Sequence, residues 1–515
     1  MRPKPAHAKR LLILLSVLLL NACATVNFDY PREESHVLPN TEETQISEII
    51  ERYERDYPGQ SGFELLTDGV DALAARLALA DAAQISIDTK YYLIKDDLIG
   101  YVFIGALLQA ADRGVRVRLL LDDIFTSGYD AGFTALDSHP NLEVRVFNPW
   151  ASRKFRGGDL FSFSRLNRRM HTKSFTADNE ATIVGGRNIA DEYYGARHDI
   201  NFGDIDALAI GPIVNEVSTM FDAFWNNPLS MPILAVADMP ENPDLVLNEL
   251  RDNIDQQIKN AENSQYSAAV IADFEKYLAA EEDRFTWAPY VLAYDPPEKA
   301  NKKLAKDAPS IVDPLIESVM KAQQELIVIS PYFVPRKKGL EFFQKLRDRG
   351  IEVSIVTNSL AANNHTIVHS GYAPSRKPLL QMGVRIFEVK TTGSTEESGK
   401  TGNEDALATL HAKAYIVDSD ELFVGSFNWD PRSINLNTEI GVIIESSELT
   451  EEMLIRLERG EAKNAYEVVL NDIGQLRWVD RSDGEEVILS KEPDTTWAKR
   501  TSAVLMELLP VRGQL

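Results

Sequence analysis

Along most of the chain, segments in which apolar residues have helical spacing alternate with short continuous apolar runs. Segments with helical spacing at 71–83 and 103–113 alternate with short apolar runs at 85–92 and 115–121, and the same order returns between 314 and 357. Short apolar runs between helical segments are typical of strands that are buried on both faces. The pattern therefore predicts an α/β fold with two similar halves, each a mixed, largely parallel β-sheet flanked by helices.

Two segments interrupt this alternation. Residues 24–60 are polar and rich in Glu, Pro, Ser and Thr, which predicts a tether with one short helix. Residues 228–307 combine Pro-rich turns with acidic helical stretches, which predicts an insertion between a first half at 61–227 and a second half at 308–515. The second half ends in an amphipathic helix, 497–509, whose apolar stripe fits either core packing or contact with a membrane interface.

The N-terminus has the composition of an export signal. Basic residues precede an apolar run at 11–20, and the sequence LNAC then ends at Cys23. Ten apolar residues are too few to span a hydrocarbon core of roughly 30 Å. We expect residues 1–23 to be a lipoprotein signal peptide whose cleavage leaves Cys23 lipidated, with a plain signal peptide or a buried thiol as the alternatives. The resemblance of LNAC to a bacterial lipobox, followed by alanine, implies a lipid-anchored envelope protein that faces the periplasm at the outer membrane.

The chain is strongly acidic, with a net charge of −24 over 515 residues. Proteins that bind nucleic acid need basic surface to displace counterions, so the charge argues against a nucleic-acid partner. The same charge repels anionic lipids, and a covalent lipid would hold the protein on a membrane in spite of it. Cys23 is the only cysteine, which excludes a disulfide within the chain.

The most specific feature is a motif that occurs twice, as MHTKSFTADNEATIVGGRN and, 240 residues later, as LHAKAYIVDSDELFVGSFN. In both copies four residues separate the lysine from the aspartate, and six separate that aspartate from the next glycine. A period of 240 residues is far too long for a solenoid, so the repeat indicates duplication of a whole domain. The first copy supplies His171, Lys173, Asp178 and Asn188, and the second supplies His411, Lys413, Asp418 and Asn428.

The paired motif resembles the HxKx4Dx6G[GS] signature of the phospholipase D superfamily. Further segments, including YYLIKDD, ISPYFVP and GSFNWDPRS, are most similar to the bacterial cardiolipin synthases of the C type. This resemblance implies a phospholipase D-like fold in which both motifs build one active site at the interface of the halves. It also implies a phosphatidyltransferase that moves a phosphatidyl group from a phospholipid donor, through a phosphatidyl-histidine, to the hydroxyl of phosphatidylglycerol.

The spacing also predicts the geometry of each motif. MHTKSFTAD and LHAKAYIVD are typical of strands, in which residues two apart share a face, so each histidine should project beside its lysine. Asp178 and Asp418 fall in turn-like sequences, and we expect them to hold the hairpin rather than transfer protons, as the resemblance also implies. Asn188 and Asn428 precede predicted helix starts, where backbone amides suit a phosphate oxygen. No metal-ligand spacing is evident, and we expect no metal or other cofactor.

Two histidines allow covalent chemistry in two steps. We expect His171 to attack phosphorus and His411 to act as acid and base, with the reverse assignment open. Downstream carboxylates should orient the imidazoles through their second nitrogens. Glu439 in NLNTEIGVII suits this role, and we take Asp206 in FGDIDALAI as its counterpart, although Asp204 is also available.

Five further side chains are candidates for substrate binding. Arg169 ends a basic cluster just before the first motif, where it could hold a second lipid phosphate or be structural. Ser426 could contribute a hydroxyl contact that glycine cannot make in the first motif. His369 fits helix packing or substrate contact, and Tyr332 and Tyr372 fit either a head-group pocket or the core.

The motif by itself leaves the reaction open. A phospholipase D, in which water accepts the phosphatidyl group, would use the same residues. A nuclease of the same superfamily is disfavoured by the acidic charge and the export signal, and a non-enzymatic envelope tether is disfavoured by the intact paired motif. The donor is phosphatidylglycerol or phosphatidylethanolamine, and the sequence identifies no protein partner.

Overall fold

In the computed structural model, the described residues are 26–507 without 40, 42, 154–161, 280–283, 307, 392–399, 403–405 and 483. The expected signal peptide, Cys23 and the end of the predicted last helix lie outside the described residues. Within them, two large mixed sheets are flanked by helices, which confirms the predicted α/β class. The expectation that these sheets are largely parallel is wrong, because most strand pairings in both are antiparallel.

The first half follows the predicted order of helices and strands. Helix α2 begins where the Asp68 carboxylate accepts hydrogen bonds from the amides of Val70 and Asp71, and α3 begins at a similar cap from Asp97. The elements are α1 (Gln45–Glu54), β1 (Ser61–Leu66), α2 (Gly69–Ala82), β2 (Ser86–Tyr91), α3 (Leu98–Asp112), β3 (Arg116–Asp122), α4 (Asp130–Asp137), β4 (Leu142–Phe147), α5 (Phe163–Leu166), β5 (Ser174–Ala177), β6 (Ala181–Gly185), β7 (Ile200–Gly203), β8 (Asp206–Ile210) and α6 (Pro212–Trp225).

The segment between the halves contributes to both sheets. Its elements are β9 (Ser230–Pro232), α7 (Pro243–Ala261), α8 (Gln265–Ala279), β10 (Thr286–Ala288) and β11 (Tyr290–Tyr294). Strands β9 and β10 form the two edges of the first sheet, whereas β11 forms an edge of the second. The two acidic helices pack on the first half, α7 against α3 and α4 and α8 against α2.

The second half repeats the order of the first and extends it. Its elements are α9 (Val312–Met320), β12 (Glu325–Ile329), α10 (Arg336–Asp348), β13 (Glu352–Asn358), α11 (Thr366–Tyr372), α12 (Arg376–Gln381), β14 (Arg385–Val389), β15 (Leu407–Leu410), β16 (Ala414–Val417), β17 (Glu421–Gly425), α13 (Pro431–Asn435), β18 (Ile440–Glu445), α14 (Ser447–Asn464), β19 (Ala465–Leu470), β20 (Leu476–Asp480), β21 (Val487–Leu489) and α15 (Trp497–Glu507).

The strand orders show that the two sheets are related. The first is β10-β1-β8-β6-β5-β2-β3-β4-β9, and the second is β11-β18-β17-β16-β12-β13-β14-β19-β20-β21. In each sheet three adjacent strands are parallel, β2-β3-β4 and β12-β13-β14. Each motif contributes an antiparallel hairpin, β5-β6 or β16-β17, beside the first parallel strand. Both motifs therefore occupy the same place in their half.

The halves meet through a shared core and a short sheet. One buried apolar cluster combines Val184 and Ala207 of the first half with Val424 and Val442 of the second. Strands β7 and β15, one from each half, pair in parallel to form a separate two-stranded sheet. Because β7 and β15 lie beside the two motifs in the chain, this pairing helps to bring the motifs together.

The prediction that each histidine and lysine lie within a strand is wrong. Strands β5 and β16 begin directly after Lys173 and Lys413. The backbone before β5 pairs instead with the other half, where Met170 forms a bridge with Thr438. The histidines are thus held at the interface between the halves rather than in their own sheet.

The apolar face of the last helix does not fulfil the first of its two expected roles, which was packing in the core. Trp497, Val504 and Leu505 on α15 are 74%, 62% and 60% exposed, so this apolar face does not pack in the core. No helix among the described residues is both long and apolar enough to cross a membrane.

Candidate active site

The two motifs are joined by reciprocal backbone hydrogen bonds. The amide of His171 donates to the carbonyl of Thr438 at 2.9 Å, and the amide of His411 donates to the carbonyl of Gly203 at 2.8 Å. Each histidine is therefore fixed by the strand region that precedes β18 or β8 in the opposite half. The imidazoles are largely buried, with His171 9% and His411 6% exposed.

Each imidazole also receives its carboxylate from the opposite half. Nδ1 of His171 lies 2.7 Å from Oε2 of Glu439, and Nδ1 of His411 is hydrogen-bonded to Oδ2 of Asp204. Burial lowers the pKa of His171 to about 4 and that of His411 to about 3, in spite of these carboxylates. Both imidazoles are neutral at neutral pH, and a carboxylate that accepts from Nδ1–H leaves Nε2 as the basic nitrogen.

The prediction of Asp206 as the counterpart of Glu439 is wrong. Its carboxylate binds the buried guanidinium of Arg76 at 2.8 Å and that of Arg187 at 3.3 Å. The strand register explains this difference between the two aspartates. Asp206 pairs with Gly185 in the first sheet, and Gly441 pairs with Gly425, the equivalent of Gly185, in the second. Asp206 is therefore equivalent to Gly441, and Asp204, two residues earlier, is equivalent to Glu439.

Ser426 supports Glu439 in this structure. Its hydroxyl donates to Oε2 of Glu439 at 2.6 Å, and the hydroxyl of Ser433 donates to Oε1 at 2.9 Å. In the first half Gly186 replaces the serine, and a Cβ at that position would lie 2.2 Å from Oδ1 of Asp204. The difference between the motifs thus follows from the different carboxylates that they accommodate.

The two motif lysines are buried beside their histidines. Nζ of Lys173 donates to the carbonyl of His171, and Nζ of Lys413 donates to that of His411. Burial lowers the pKa of Lys173 to about 7 and that of Lys413 to about 8, although Glu439 and Asp204 oppose this change. Conversely, burial would raise the pKa of Glu439 and Asp204, but the neighbouring histidines and lysines lower both to about 2.

Aromatic rings enclose both histidines, and of these rings only Tyr332 was expected from the sequence. Tyr92 meets His171 edge to face at 4.9 Å, and Tyr332 meets His411 in the same way at 6.3 Å between ring centroids. Phe202 stacks on His411 at 5.5 Å, and Tyr193 contacts its edge. Tyr92 and Tyr332 are separated by the 240-residue period of the motif, which was the signal that could have found Tyr92.

The motif aspartates lie at the hairpin turns, away from the imidazoles. Both have positive φ angles of about 50°. The Asp178 carboxylate accepts hydrogen bonds from the amides of Gln84, Ile85 and Ser86 at the start of β2. The Asp418 carboxylate binds the three amides at the start of β12 in the same way. Each aspartate therefore joins its hairpin to the neighbouring strand.

The helix starts expected after the motif asparagines are mostly absent. Asn188 is followed by a single 3-10 turn at Asp191–Tyr193, and Asn428 by the five-residue helix α13. The Asp191 carboxylate binds the amide of Ile99, which fixes the first turn against α3. Both asparagine side chains are buried, and Nδ2 of Asn188 donates to the hydroxyl of Tyr193 at 2.8 Å. Neither asparagine is thus followed by a long helix whose N-terminus could bind a phosphate.

The remaining candidates fall in different places. Tyr332 borders the site, where its hydroxyl donates to Asn364 at 2.9 Å. Arg169 is fully buried and binds Asp122 at 3.3 Å, and Tyr372 is buried with its hydroxyl bonded to Glu388 at 3.0 Å. The interpretation of Tyr372 as part of a head-group pocket is thus wrong, since it belongs to the second core. His369 contacts Tyr372 on α11 rather than the motif histidines.

The arrangement is suited to nucleophilic and acid–base chemistry on an anion. It combines two carboxylate-oriented imidazoles with two lysines in a buried, aromatic-walled site. Among the described residues no three histidine, cysteine, aspartate or glutamate side chains are grouped so that they could hold a metal ion.

Comparison with known proteins identifies the family. The family model described as cardiolipin synthase, PLD-like domain, matches residues 77–225 and 315–459. The chain belongs to the phospholipase D superfamily. Within this superfamily, cardiolipin synthase C of Escherichia coli (strain K12) is 41% identical to it over 469 residues, which cover 89% of this chain and 97% of that protein. Each of the two matched regions contains one of the paired motifs.

Two further proteins match this chain at lower identity. Cardiolipin synthase A of Pseudomonas entomophila (strain L48) is 22% identical over 426 residues, covering 82% of this chain and 71% of that protein. The crystal structure of phosphatidylserine synthase from Haemophilus influenzae Rd KW20 matches with a TM-score of 0.53 and 12% identity, over 90% of this chain and 99% of that chain. At this identity the structural match concerns the fold alone.

Proposed function

We propose that this protein is a phosphatidyltransferase that makes cardiolipin from phosphatidylglycerol. The observation that carries the proposal is the reciprocal site, in which Glu439 holds His171 and Asp204 holds His411 across the interface. The cardiolipin synthase relatives named above support the same substrate class. Phosphatidylglycerol is the acceptor, and phosphatidylglycerol or phosphatidylethanolamine is the donor.

In the first step, Nε2 of His171 attacks the phosphorus of the donor lipid. Lys173 and Lys413 stabilise the charge that develops on the phosphoryl oxygens, together with the side chains of Asn188 and Asn428. The anionic phosphodiester beside His411 raises the pKa of this imidazole, which takes up a proton. His411 then protonates the departing alcohol as its bond to phosphorus breaks, leaving a phosphatidyl-histidine.

In the second step, the now neutral His411 removes the proton from the hydroxyl of the acceptor phosphatidylglycerol. The alkoxide oxygen attacks phosphorus, and the bond to His171 breaks as cardiolipin forms. Water in place of the lipid hydroxyl would give phosphatidic acid, which is the phospholipase D reaction. The burial of both imidazoles beneath Tyr92, Phe202 and Tyr332 favours transfer, because it limits access of water to the intermediate. The acidic net charge disfavours a nuclease.

This assignment is tested by lipid mass spectrometry of bacteria that lack their own cardiolipin synthases. Cells that express the wild-type chain should accumulate cardiolipin, and cells that express His171→Ala at the same level should not. Accumulation of phosphatidic acid without cardiolipin would instead identify a phospholipase D.

The basic limb of the pH profile should reflect the buried lysines. Because burial lowers the pKa of Lys173 to about 7 and of Lys413 to about 8, both lose their charge as pH rises through this range. Because both charges are needed, we expect kcat/KM for phosphatidylglycerol to fall by about ten-fold per pH unit between about pH 7 and about pH 8, and by about 100-fold per unit above that range. Steady-state kinetics between pH 6 and 10 measure this limb, with circular dichroism as the control for folding. A constant kcat/KM up to about pH 10 would contradict the role of the lysines.

We further propose the organisation expected from the sequence, with a signal peptide at 1–23, a tether at 24–60, halves at 61–227 and 308–515, and a connecting segment at 228–307. Lipidation of Cys23 would hold the enzyme on the periplasmic face of the envelope, at the outer membrane, beside its lipid substrates.

Replacement of Cys23 by serine should therefore detach the protein from the membrane or leave it as an unprocessed precursor. Fractionation and labelling with a fatty-acid analogue measure these outcomes, with the wild-type chain as the control. Unchanged fractionation together with absence of label in both proteins would contradict lipid anchoring.

A further inference from the structure

A cavity of about 630 Å³ lies in the second half, outside the paired motif. It is lined by α11, α12, β20 and α15, together with the segment around Glu492. The residues that line it include neither the motif histidines nor the motif lysines. Its chemistry is therefore separate from that of the candidate active site.

The cavity is strongly cationic in a chain of net charge −24. Glu388 and Glu492 neutralise one of its cations, Arg376, and Glu492 is the acidic residue that lines the cavity. The other cations have no carboxylate within ion-pair distance among the described residues. They are Lys377, Arg477, Lys491 and Arg500. Cations that line one cavity give it a positive potential, which favours the binding of an anion.

A buried histidine adds a second, independent indication of a ligand. His369 lines the cavity and is 1% exposed, yet neither ring nitrogen has a hydrogen-bond partner within the described chain. A carboxylate oxygen of Glu492 is 3.8 Å from Nε2, which is within ion-pair distance but too long for a hydrogen bond, and the same carboxylate binds Arg376. A buried polar group without a partner costs free energy that a bound acceptor would recover.

The apolar face of α15 indicates which kind of anion is bound. Val504 lines the cavity and is 62% exposed, and Trp497 and Leu505 on the same helix are also exposed. Exposed apolar side chains beside a cluster of cations match a molecule with an anionic head and apolar tails. A free inorganic anion would leave this apolar face without a partner.

We propose that this cavity is a second lipid site, which binds the head-group phosphate of an anionic phospholipid while α15 contacts its acyl chains. The site goes beyond the catalytic proposal and does not depend on it. Arg477, Lys491 and Arg500 bind the phosphate oxygens, and His369 donates to the head group.

The position of α15 links this second lipid site to the candidate active site. Nζ of Lys499 on α15 donates to the carbonyl of Ala361 at 2.9 Å. Three residues later, Asn364 accepts the hydroxyl of Tyr332, whose ring meets His411. A lipid held on α15 would therefore lie beside the loop that borders the active site.

The test compares two triple variants of the full chain, both in a His171→Ala background that prevents turnover. One changes the cavity (Arg477→Gln, Lys491→Gln, Arg500→Gln), and the other removes the same charge from an exposed segment elsewhere (Lys302→Gln, Lys303→Gln, Lys306→Gln). Calorimetric titration with dioctanoyl phosphatidylglycerol in uncharged detergent measures binding, and thermal unfolding checks the fold. We expect the cavity variant to bind one lipid fewer than the control, or to bind at the cavity at least about ten-fold more weakly.

Two results would overturn the proposal. Equal numbers and affinities of sites in both variants would show that the cavity binds no lipid, whether or not the enzyme makes cardiolipin. Displacement of the lipid from the cavity by equimolar inorganic phosphate would identify a site for a free anion. If the cavity variant fails to fold, a photoactivatable phosphatidylglycerol applied to the wild-type chain decides the matter. Label on α15 is then the expected result, and label confined to other segments the contrary one.

Discussion

With a phosphorus-labelled phospholipid, the label should be recovered on His171 in the wild-type chain and in His411→Ala, but not in His171→Ala. Glu439 holds Nδ1 of His171, so Nε2 is available to attack, and attack survives when only protonation of the leaving group is impaired. We expect each alanine variant to lose at least about 10⁴-fold in kcat, because residues of a catalytic set act as a unit. A phosphoramidate is labile in acid, so the adduct is trapped and mapped by mass spectrometry at neutral or alkaline pH.

A matched control is available in His198, which is exposed. His198→Ala should keep wild-type activity and labelling. Label on His411 alone in the wild type would reverse the assigned roles and leave the two-step reaction intact. Absence of label on both histidines, together with inversion of configuration at phosphorus, would exclude the covalent reaction.

Asp204→Asn should impair catalysis, whereas Asp206→Asn should destabilise the fold. The two residues are only two positions apart in the chain. Asp204→Asn removes the carboxylate that orients His411, and we expect kcat to fall by about 100-fold to 10⁴-fold in a folded protein. Asp206→Asn leaves the buried cations Arg76 and Arg187 without their carboxylate, which should cost about 3–5 kcal/mol of unfolding free energy. Steady-state kinetics and denaturant titration measure the two effects.

Each of these two variants serves as the control for the other. The protein that remains folded in Asp206→Asn should keep a kcat close to that of the wild type. A stable Asp206→Asn with greatly reduced kcat, alongside a fully active Asp204→Asn, would restore the assignment that the sequence alone suggested.

The error over Asp206 shows where prediction from this sequence reached its limit. The 240-residue period holds within the motif, from His171 to Asn188 and from His411 to Asn428, but it does not hold across the segment that leads into β8. Asp206 and Asp204 both precede an apolar strand, and no feature of the sequence distinguishes which of the two faces the site. Only the strand registers, β6 with β8 in the first sheet and β17 with β18 in the second, show that Asp204 is equivalent to Glu439.

The crossing of the carboxylates between the halves could not be predicted either. Glu439 follows His411 in the chain, yet it binds His171, because the docking of the halves brings each carboxylate to the histidine of the other. Helices and strands could be predicted, since their apolar periods are local properties of the chain. The site depends on contacts between residues more than 200 positions apart, which no local pattern records.

This reciprocity makes the active site a property of the docked pair of halves. Removal of either half would take away one histidine, one lysine and the carboxylate that orients the remaining histidine. The aspartates Asp178, Asp418 and Asp206 stabilise the fold rather than take part in the reaction. Asp178 and Asp418 hold the hairpins through backbone amides, and Asp206 binds buried arginines.

The product balance of the purified chain tests phosphatidyl transfer at this site most directly. Phosphatidylglycerol labelled in its head-group glycerol and phosphatidylethanolamine labelled in its ethanolamine are supplied together, and cardiolipin, phosphatidic acid and the free head-group alcohols are measured. The account predicts one head-group alcohol released for each cardiolipin formed, with phosphatidic acid below about a tenth of the product and no product from His171→Ala. Phosphatidic acid as the main product, in equal amount to the head-group alcohol released, would contradict it.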